Sequence, residues 1–267
     1  MNGQPSPHHL DFPIPHVKVL FEDADLLVVA KPAGLVCHSA QRPGQPSLVG
    51  WLREHWNSGQ IPTGESSSSS IVPRLLNRLD RETSGLVVVT RNERAAKILG
   101  KAVMRREIEK EYVAICWGEF EQDRGVVDRP IGLTKDSVVF TKRVIDEIDG
   151  KPAFTEYAVE RRLPGFTVVR LRPKTGRTHQ MRVHLAWLGH PIVGDKIYGP
   201  DETLYLQFIR EGVTGEMLEK LLLPRHALHA ERVGLRHPST GQFMEFRADL
   251  PADLQEFIRR RAGESRE

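Results

Sequence analysis

The tightest constraint on this chain is the string Arg74-Leu-Leu-Asn-Arg78-Leu79-Asp80-Arg81-Glu82-Thr83-Ser84-Gly85, which runs straight into Leu86-Val87-Val88-Val89-Thr90. The apolar run is β-branched and short, so it predicts a buried strand, and the segment before it becomes that strand's leading loop. The loop sets Asp80 between Arg78 and Arg81. Opposite charge within a few ångströms lowers a carboxylate pKa, so Asp80 is expected to stay ionised and able to act as nucleophile or base. Thr83, Ser84 and Gly85 are expected as turn residues that bond the loop's own backbone. An Asp-Arg dipeptide standing alone would be read as a structural surface pair.

The rest of the chain predicts alternating strands and helices. Residues 18–30 read as two strands around an acidic turn at Glu22–Asp25, closed by a Pro-Gly turn at 32–34. Lys31, at the strand end, is a candidate phosphate contact or a solvated lysine. Ser47 is placed to cap a helix with Leu48, Trp51 and Leu52 on one face. Asn92 caps another, with Ala95, Ala96, Ile98, Leu99, Ala102 and Val103 expected against a sheet. Glu109–Trp117 alternates as a strand with Tyr112, Ala114 and Cys116 on one face. Residues 153–163 and 166–172 meet at Pro164-Gly165 as a hairpin. A helix is expected from Thr178 to Gly189, with Met181, Leu185 and Leu188 packed and His179 and Arg182 on a separate cationic side. Two short helices over 204–223, a closing hairpin over 226–247 and a helix over 252–261 complete the series.

Composition limits function more by exclusion. No apolar run approaches the roughly 20 residues that span a bilayer, and the start lacks a basic-then-apolar signal, so no membrane role and a cytoplasmic location are expected. Cys37 and Cys116 have no Cys-x-x-Cys spacing and are expected as reduced thiols. The net charge of +3 does not by itself announce nucleic acid. Basic residues nevertheless cluster at 74–81, 101–106, 170–182 and 225–236, which would allow a basic cleft. A zinc site from His179, His184 and His190, with His226 and His229 farther on, is disfavoured because a spacing of five leaves one helix face. Residues 1–16 read as a mobile arm, 17–262 as one domain, 65–70 as a flexible Ser-rich loop and 263–267 as a frayed end.

Five pieces resemble, in the same order, the RluA-type pseudouridine synthases: Glu22-Asp-x-x-Leu-Leu-Val-Val-x-Lys31-Pro-x-Gly-Leu35, Arg78-Leu-Asp-Arg-x-Thr-Ser-Gly-Leu86, Lys110-x-Tyr112, Thr175-Gly-Arg-x-His179-Gln-x-Arg182-x-His-Leu185 and Gly194-Asp-x-x-Tyr198-Gly. The likeness covers about residues 18–250, with one departure, Asn77 where many members have His. It implies the pseudouridine synthase fold, an α+β architecture whose mixed, largely antiparallel sheet carries flanking helices and a central catalytic cleft. It implies isomerisation of uridine to pseudouridine in structured RNA, ribosomal or transfer, without cofactor or metal. Asp80 would be the catalytic nucleophile or base, Tyr112 the ring that stacks on the target base, and Arg182 the buried partner of Asp80. Arg78 would fill the place the base leaves. Arg81, Thr83, Lys110, Arg177 and His179 would contact RNA, and Leu228 would form an apolar pocket wall. A monomer without an N-terminal RNA-binding domain of the S4 type is expected. Two other classes compete: a glycoside hydrolase, which needs a second carboxylate, and a non-catalytic RNA-binding protein, which would not need Asp80.

Overall fold

A hairpin opens the chain in the computed structural model, which describes residues 16–38, 46–57 and 73–263. The expectations for the arm, the Ser-rich loop and the frayed end fall on residues outside that description, His16 and Gly263 excepted. In the hairpin β1 (Lys18–Glu22) pairs antiparallel with β2 (Leu26–Lys31). Asp23 closes the turn, accepting the Asp25 and Leu26 amides on one carboxylate oxygen. Ser47 caps α1 (Leu48–Asn57) through the Gly50 amide, as expected. Then come β3 (Arg74–Leu75), β4 (Ser84–Thr90), α2 (Glu93–Met104) capped by Asn92, and β5 (Glu109–Trp117). β6 (Arg124–Asp128), β7 (Ile131–Leu133), β8 (Arg143–Ile145), β9 (Phe154–Leu163) and β10 (Phe166–Pro173) follow. The chain ends with α3 (Gln180–Trp187), α4 (Thr203–Glu211), α5 (Gly215–Leu221), β11 (Leu228–Arg236), β12 (Phe243–Arg247) and α6 (Ala252–Arg261).

One large sheet runs β1-β2-β4-β11-β5-β10-β9-β6, with β12 also on β11 and β3 also on β4. Its pairings are antiparallel except β4 with β11, so the expected α+β architecture is the observed one. Side-chain alternation supplies two cores. Leu27, Val29, Val87 and Val89 face one cluster with Leu48, Leu52, Leu185 and Phe257, while Leu26, Val28, Leu86 and Val88 face another with Leu99 and Leu235. Both faces of β2 and β4 are therefore covered, which is why these strands read as unbroken apolar runs. Among the described residues no helix is long and apolar enough to cross a membrane.

The strand β4 controls where the chemistry can sit. Along its outer half it pairs with β3, Arg74 opposite Thr90 and Leu75 opposite Val89. At its start it pairs instead with β11, Ser84 beside His229 and Gly85 beside Ala230. Residues 78–83 thus form the tip of a β3–β4 hairpin at the point where β4 changes neighbour. Asn77 secures the base of that tip, donating to Leu86 O and accepting the Val88 amide, so the departure from the family's usual His is filled by a residue with both bonding groups satisfied.

Two expectations fail here. Ser84 and Gly85 are strand residues, and the Thr83 and Ser84 hydroxyls bond His226 and His229 instead of their own loop. On α2 only Ala95 and Leu99 are buried, because the helix meets the sheet along one narrow stripe; Ile98 and Val103 face outward.

Gly85 has φ +116°, and a Cβ there would lie 2.2 Å from the Ala230 carbonyl oxygen. Gly85→Ala is expected to cost about 3 kcal/mol or more, from backbone strain plus a clash that rigid strands relieve poorly. Gly100, inside α2 with open space around it, should instead gain about 0.5–1 kcal/mol as alanine. Denaturant midpoints of the two variants, moving in opposite directions, check this.

Candidate active site

The loop carrying Asp80 has no ladder of its own, so other groups hold it. Lys31 lies beneath, only 1% exposed, with its ammonium donating to Pro32 O and Leu35 O at 2.8 Å and to Arg81 O at 3.2 Å. It is a strut of the loop and not the phosphate contact or solvated lysine considered from sequence. Burial pulls its pKa down to about 8. The Gly34 amide also donates to Arg81 O, and Arg81 Nε returns a bond to Gly34 O. Cys37 exchanges hydrogen bonds with both the amide and carbonyl of Leu79 at 3.4 Å. On the far side Glu82 pairs with buried Lys196 at 2.8 Å.

Arg182 reaches this loop from α3. Its Nη1 donates to Asp80 Oδ2 at 3.0 Å, across a sequence separation of 102. Its other nitrogens grip Asp195, Nε to Oδ2 at 2.6 Å and Nη2 to Oδ1 at 2.8 Å. Asp195 Oδ1 also accepts the Ile197 and Tyr198 amides, and the guanidinium lies over the Tyr198 ring at 5.0 Å. Burial works to raise the Asp80 pKa, but neighbouring His179 and Arg182 outweigh it and hold the carboxyl below its usual range. His179 is itself held down to about 4 by burial and Arg182, so the fixed cation beside Asp80 at neutral pH is Arg182. The Asp80 side chain keeps 28% exposure towards the cleft.

His179 is the one left-handed residue of this segment, at φ +57°, and it precedes a helix that begins at Gln180 instead of Thr178. The Gln180 side chain explains the shift: its Oε1 accepts from the Thr175 hydroxyl and the Arg177 amide, closing the loop so that Thr178 cannot cap. Tyr198 Oη accepts the Arg143 amide and shares a hydrogen bond with His179 Nδ1 at 2.9 Å. The other ring nitrogen, Nε2, faces Asp80 Oδ2 at 3.9 Å. The expected split of α3 into a packed and a cationic side fails as well, since Arg182 and His184 are buried.

The cleft above has a volume of about 1040 Å³ and is lined by all ten residues singled out from sequence: Asp80, Tyr112, Arg182, Arg78, Arg81, Thr83, Lys110, Arg177, His179 and Leu228. Tyr112 and Leu228 come together through register, with Leu228 opposite Ala114 and Tyr112 opposite Ala230 on adjacent strands. Burial, then Asp80, pushes the Tyr112 phenol up, keeping it protonated. Lys110 has no acidic partner among the described residues, and burial lowers its pKa. Arg177 Nε donates to Pro152 O while its side chain stays at the rim. Thr83 is a loop anchor, 2% exposed with its hydroxyl on His226 at 2.7 Å, so its polar group is not offered to RNA. The imidazoles weighed for zinc go to separate partners: His184 to Thr155 and Arg129 O, His190 to Trp117 O.

Sequence reasoning missed Asp195, Lys196, Tyr198 and His226 as parts of this site. The Gly194-Asp-x-x-Tyr198-Gly string carried the first and third; His226 was weighed only as a distant zinc ligand, and it is buried beside Thr83 with Nδ1 3.6 Å from Glu82 Oε2. Two of the four basic clusters are also largely neutralised: Arg170 and Arg232 pair with Glu111, Glu231 and Glu245, and Arg225 with Asp253.

Among the described residues lining the cleft Asp80 is the sole carboxylate, against seven lysine and arginine side chains. That balance suits a polyanionic ligand, and the described residues lining the cleft offer no second acid for glycoside hydrolysis. The sequence matches the RNA pseudouridylate synthase family over residues 25–187. It is 35% identical over 244 residues to the uncharacterized RNA pseudouridine synthase YlyB of Bacillus subtilis, covering 90% of this chain and 71% of that protein. To the ribosomal large subunit pseudouridine synthase D of Vibrio cholerae it is 35% identical over 243 residues, covering 90% and 69%; against the Nitrosomonas europaea protein of the same name the figures are 36%, 89% and 63%. Among solved structures, human RNA Pseudouridylate Synthase Domain Containing 4 superposes with a TM-score of 0.68 at 26% identity, over 91% of this chain and 92% of that one. The chain belongs to the RNA pseudouridylate synthase family and isomerises uridine to pseudouridine in RNA.

Asp195→Asn is expected to destabilise the fold by about 3–5 kcal/mol, because a buried guanidinium loses its main counter-charge. Asp80→Asn, which leaves Asp195 in place, should change stability by no more than about 1 kcal/mol; urea titrations distinguish the two.

His179, His184, His226 and His229 are all held below their ordinary pKa, burial being the largest cause in each. Above pH 6.5 they are neutral folded or unfolded and contribute no slope. As pH falls below 6.5 the unfolded chain takes up protons that the folded chain refuses. Stability should therefore drop between pH 6.5 and about 4, by up to about 1.4 kcal/mol per pH unit for each histidine. A Tm series over that range checks the sign, and His226→Gln should flatten it.

Proposed function

We propose that Asp80 is the catalytic carboxylate of this isomerase and that its substrate is structured RNA of the large ribosomal subunit. The observation that carries the reading is a lone carboxylate in the cleft, kept ionised by an arginine that a second, buried aspartate holds in place. Asp80 Oδ1 is left free towards the cleft, where it would engage the ribose of the target uridine as nucleophile or base. The N1–C1′ bond breaks and C5–C1′ forms; the C5 proton leaves and N1 gains one, so no redox partner is required. Reaching Asp80 takes the uridine out of its stack, at a cost of a few kcal/mol. Stacking on Tyr112 offsets about 1–3 kcal/mol of that. Leu228 packs against the base, Arg78 fills the vacated place, and Lys110 and Arg177 meet phosphates at the rim.

The ribosomal assignment is supported by relatives named for the large subunit, and a cytoplasmic location fits it. RNA carrying tritium at uridine C5 tests both parts. Wild-type protein should release tritium to water from large-subunit RNA fragments and not from tRNA transcripts, while Asp80→Asn, still binding RNA, should release none. Release by Asp80→Asn at near wild-type rate would remove Asp80 from the chemistry.

A further inference from the structure

The C-terminal turn of α2 is built in an unusual way. The Glu107 amide donates to Ala102 O and the Arg106 amide to Val103 O, the paired bonds of a Schellman ending. Such an ending needs a left-handed residue, normally glycine; here it is Arg106, at φ +60°. A non-glycine residue in that conformation is strained, and strain of this kind is retained where the side chain is needed.

The same turn projects apolar surface outward. Met104 is 77% exposed and Val103 39%, and both line the lip of the catalytic cleft together with Arg106 and Lys110. Sequence periodicity would have turned Val103 inward, yet Ala95 and Leu99 are the buried residues of α2. Lys101, Arg106 and Lys110 have no acidic partner among the described residues, and Arg105 has only Glu107, at 4.0 Å with both side chains largely exposed. An exposed thioether is a poor solvated surface but a good one for the face of a base, since sulfur packs well on aromatic rings. Lys101 and Arg106, three residues before Met104 and two after, are the kind of cation that meets a phosphate backbone.

We infer that the α2 ending is a second RNA-binding element, continuous with the cleft, that seats a nucleotide neighbouring the target uridine: Met104 stacks on its base while Lys101 and Arg106 hold the adjoining phosphates. The inference rests on the RNA-modifying reading of the cleft and adds to it the point at which the substrate strand leaves the active site.

Two variants test it without threatening the fold. Met104→Ala removes an exposed side chain, and Arg106→Gly puts the residue preferred by that backbone in place, so its Tm should stay level or rise. Equilibrium binding to a large-subunit RNA fragment and KM for the same fragment should weaken about three- to tenfold for Met104→Ala, with kcat within about twofold of wild type. For Arg106→Gly the slope of log affinity against log salt should become shallower by about 0.7–0.9, the loss of one phosphate contact. Lys97→Ala, a cation of the same helix paired with Glu93 away from the cleft, serves as the control and should leave both unchanged. Unaltered affinity, KM and salt slope in both variants would overturn the inference. Because binding is read without turnover, that result is separable from any failure of Asp80 as the catalytic group.

Discussion

Everything at this site depends on a guanidinium buried between two carboxylates. Arg182 has a side-chain exposure of 6%, a position in which an isolated cation costs several kcal/mol. Asp195 answers that cost with two hydrogen bonds, and is itself fixed by two backbone amides, so the pair stays in place whatever Asp80 does. The third nitrogen is then aimed at Asp80 and engages one oxygen only. This division of labour has a chemical result: the buried aspartate bears the structural load, and the cleft aspartate keeps its charge while only one of its oxygens is engaged by Arg182.

A carboxylate at a hairpin tip would ordinarily be mobile, since residues 78–83 make no ladder. The chain counters this with anchors drawn from distant segments. Lys31 takes three carbonyls, Cys37 takes both groups of Leu79, Asn77 ties the base of the tip to β4, and Thr83 and Glu82 bind His226 and Lys196 on the other side. Each contributes little alone. Together they hold Asp80 before any substrate arrives, and reactions that depend on aligned groups gain most from such placement.

Much of the scaffold was legible because its determinants are local. A Pro-Gly pair between β-rich runs gave the β9–β10 hairpin, and α6 appeared at its observed residues because its apolar positions and its Pro251 start lie within ten residues of each other. The meeting of Asp80 and Arg182 was legible only through likeness to a family, since no periodic pattern links positions 102 apart. What escaped was set by tertiary context. Thr178 is a good cap by type, yet Gln180 closes the loop first and forces His179 left-handed. Lys31 looks like any strand-end lysine until three carbonyls surround it, and His226 reads from sequence as no more than a remote metal-ligand candidate until the fold sets it on Thr83.

Charge shows the same limit and resolves it. Reading basic clusters from sequence treats all of them as candidates for RNA, but folding sorts them. Arg170, Arg172 and Arg232 are consumed by a lattice of glutamates across the sheet face, and Arg225 by Asp253, so these cations stabilise structure and present little net field. Arg78, Arg106 and Lys110 have no acidic partner among the described residues and converge on one cleft. A chain with a formal charge of only +3 can therefore attract a polyanion, because what steers an RNA is the unneutralised charge around the groove and not the sum over the molecule. Two sets of cations therefore act on the cleft: the unpaired ones around it draw the polyanion in, while the ionisation of Asp80 is held by the groups packed against it, His179 and Arg182 foremost.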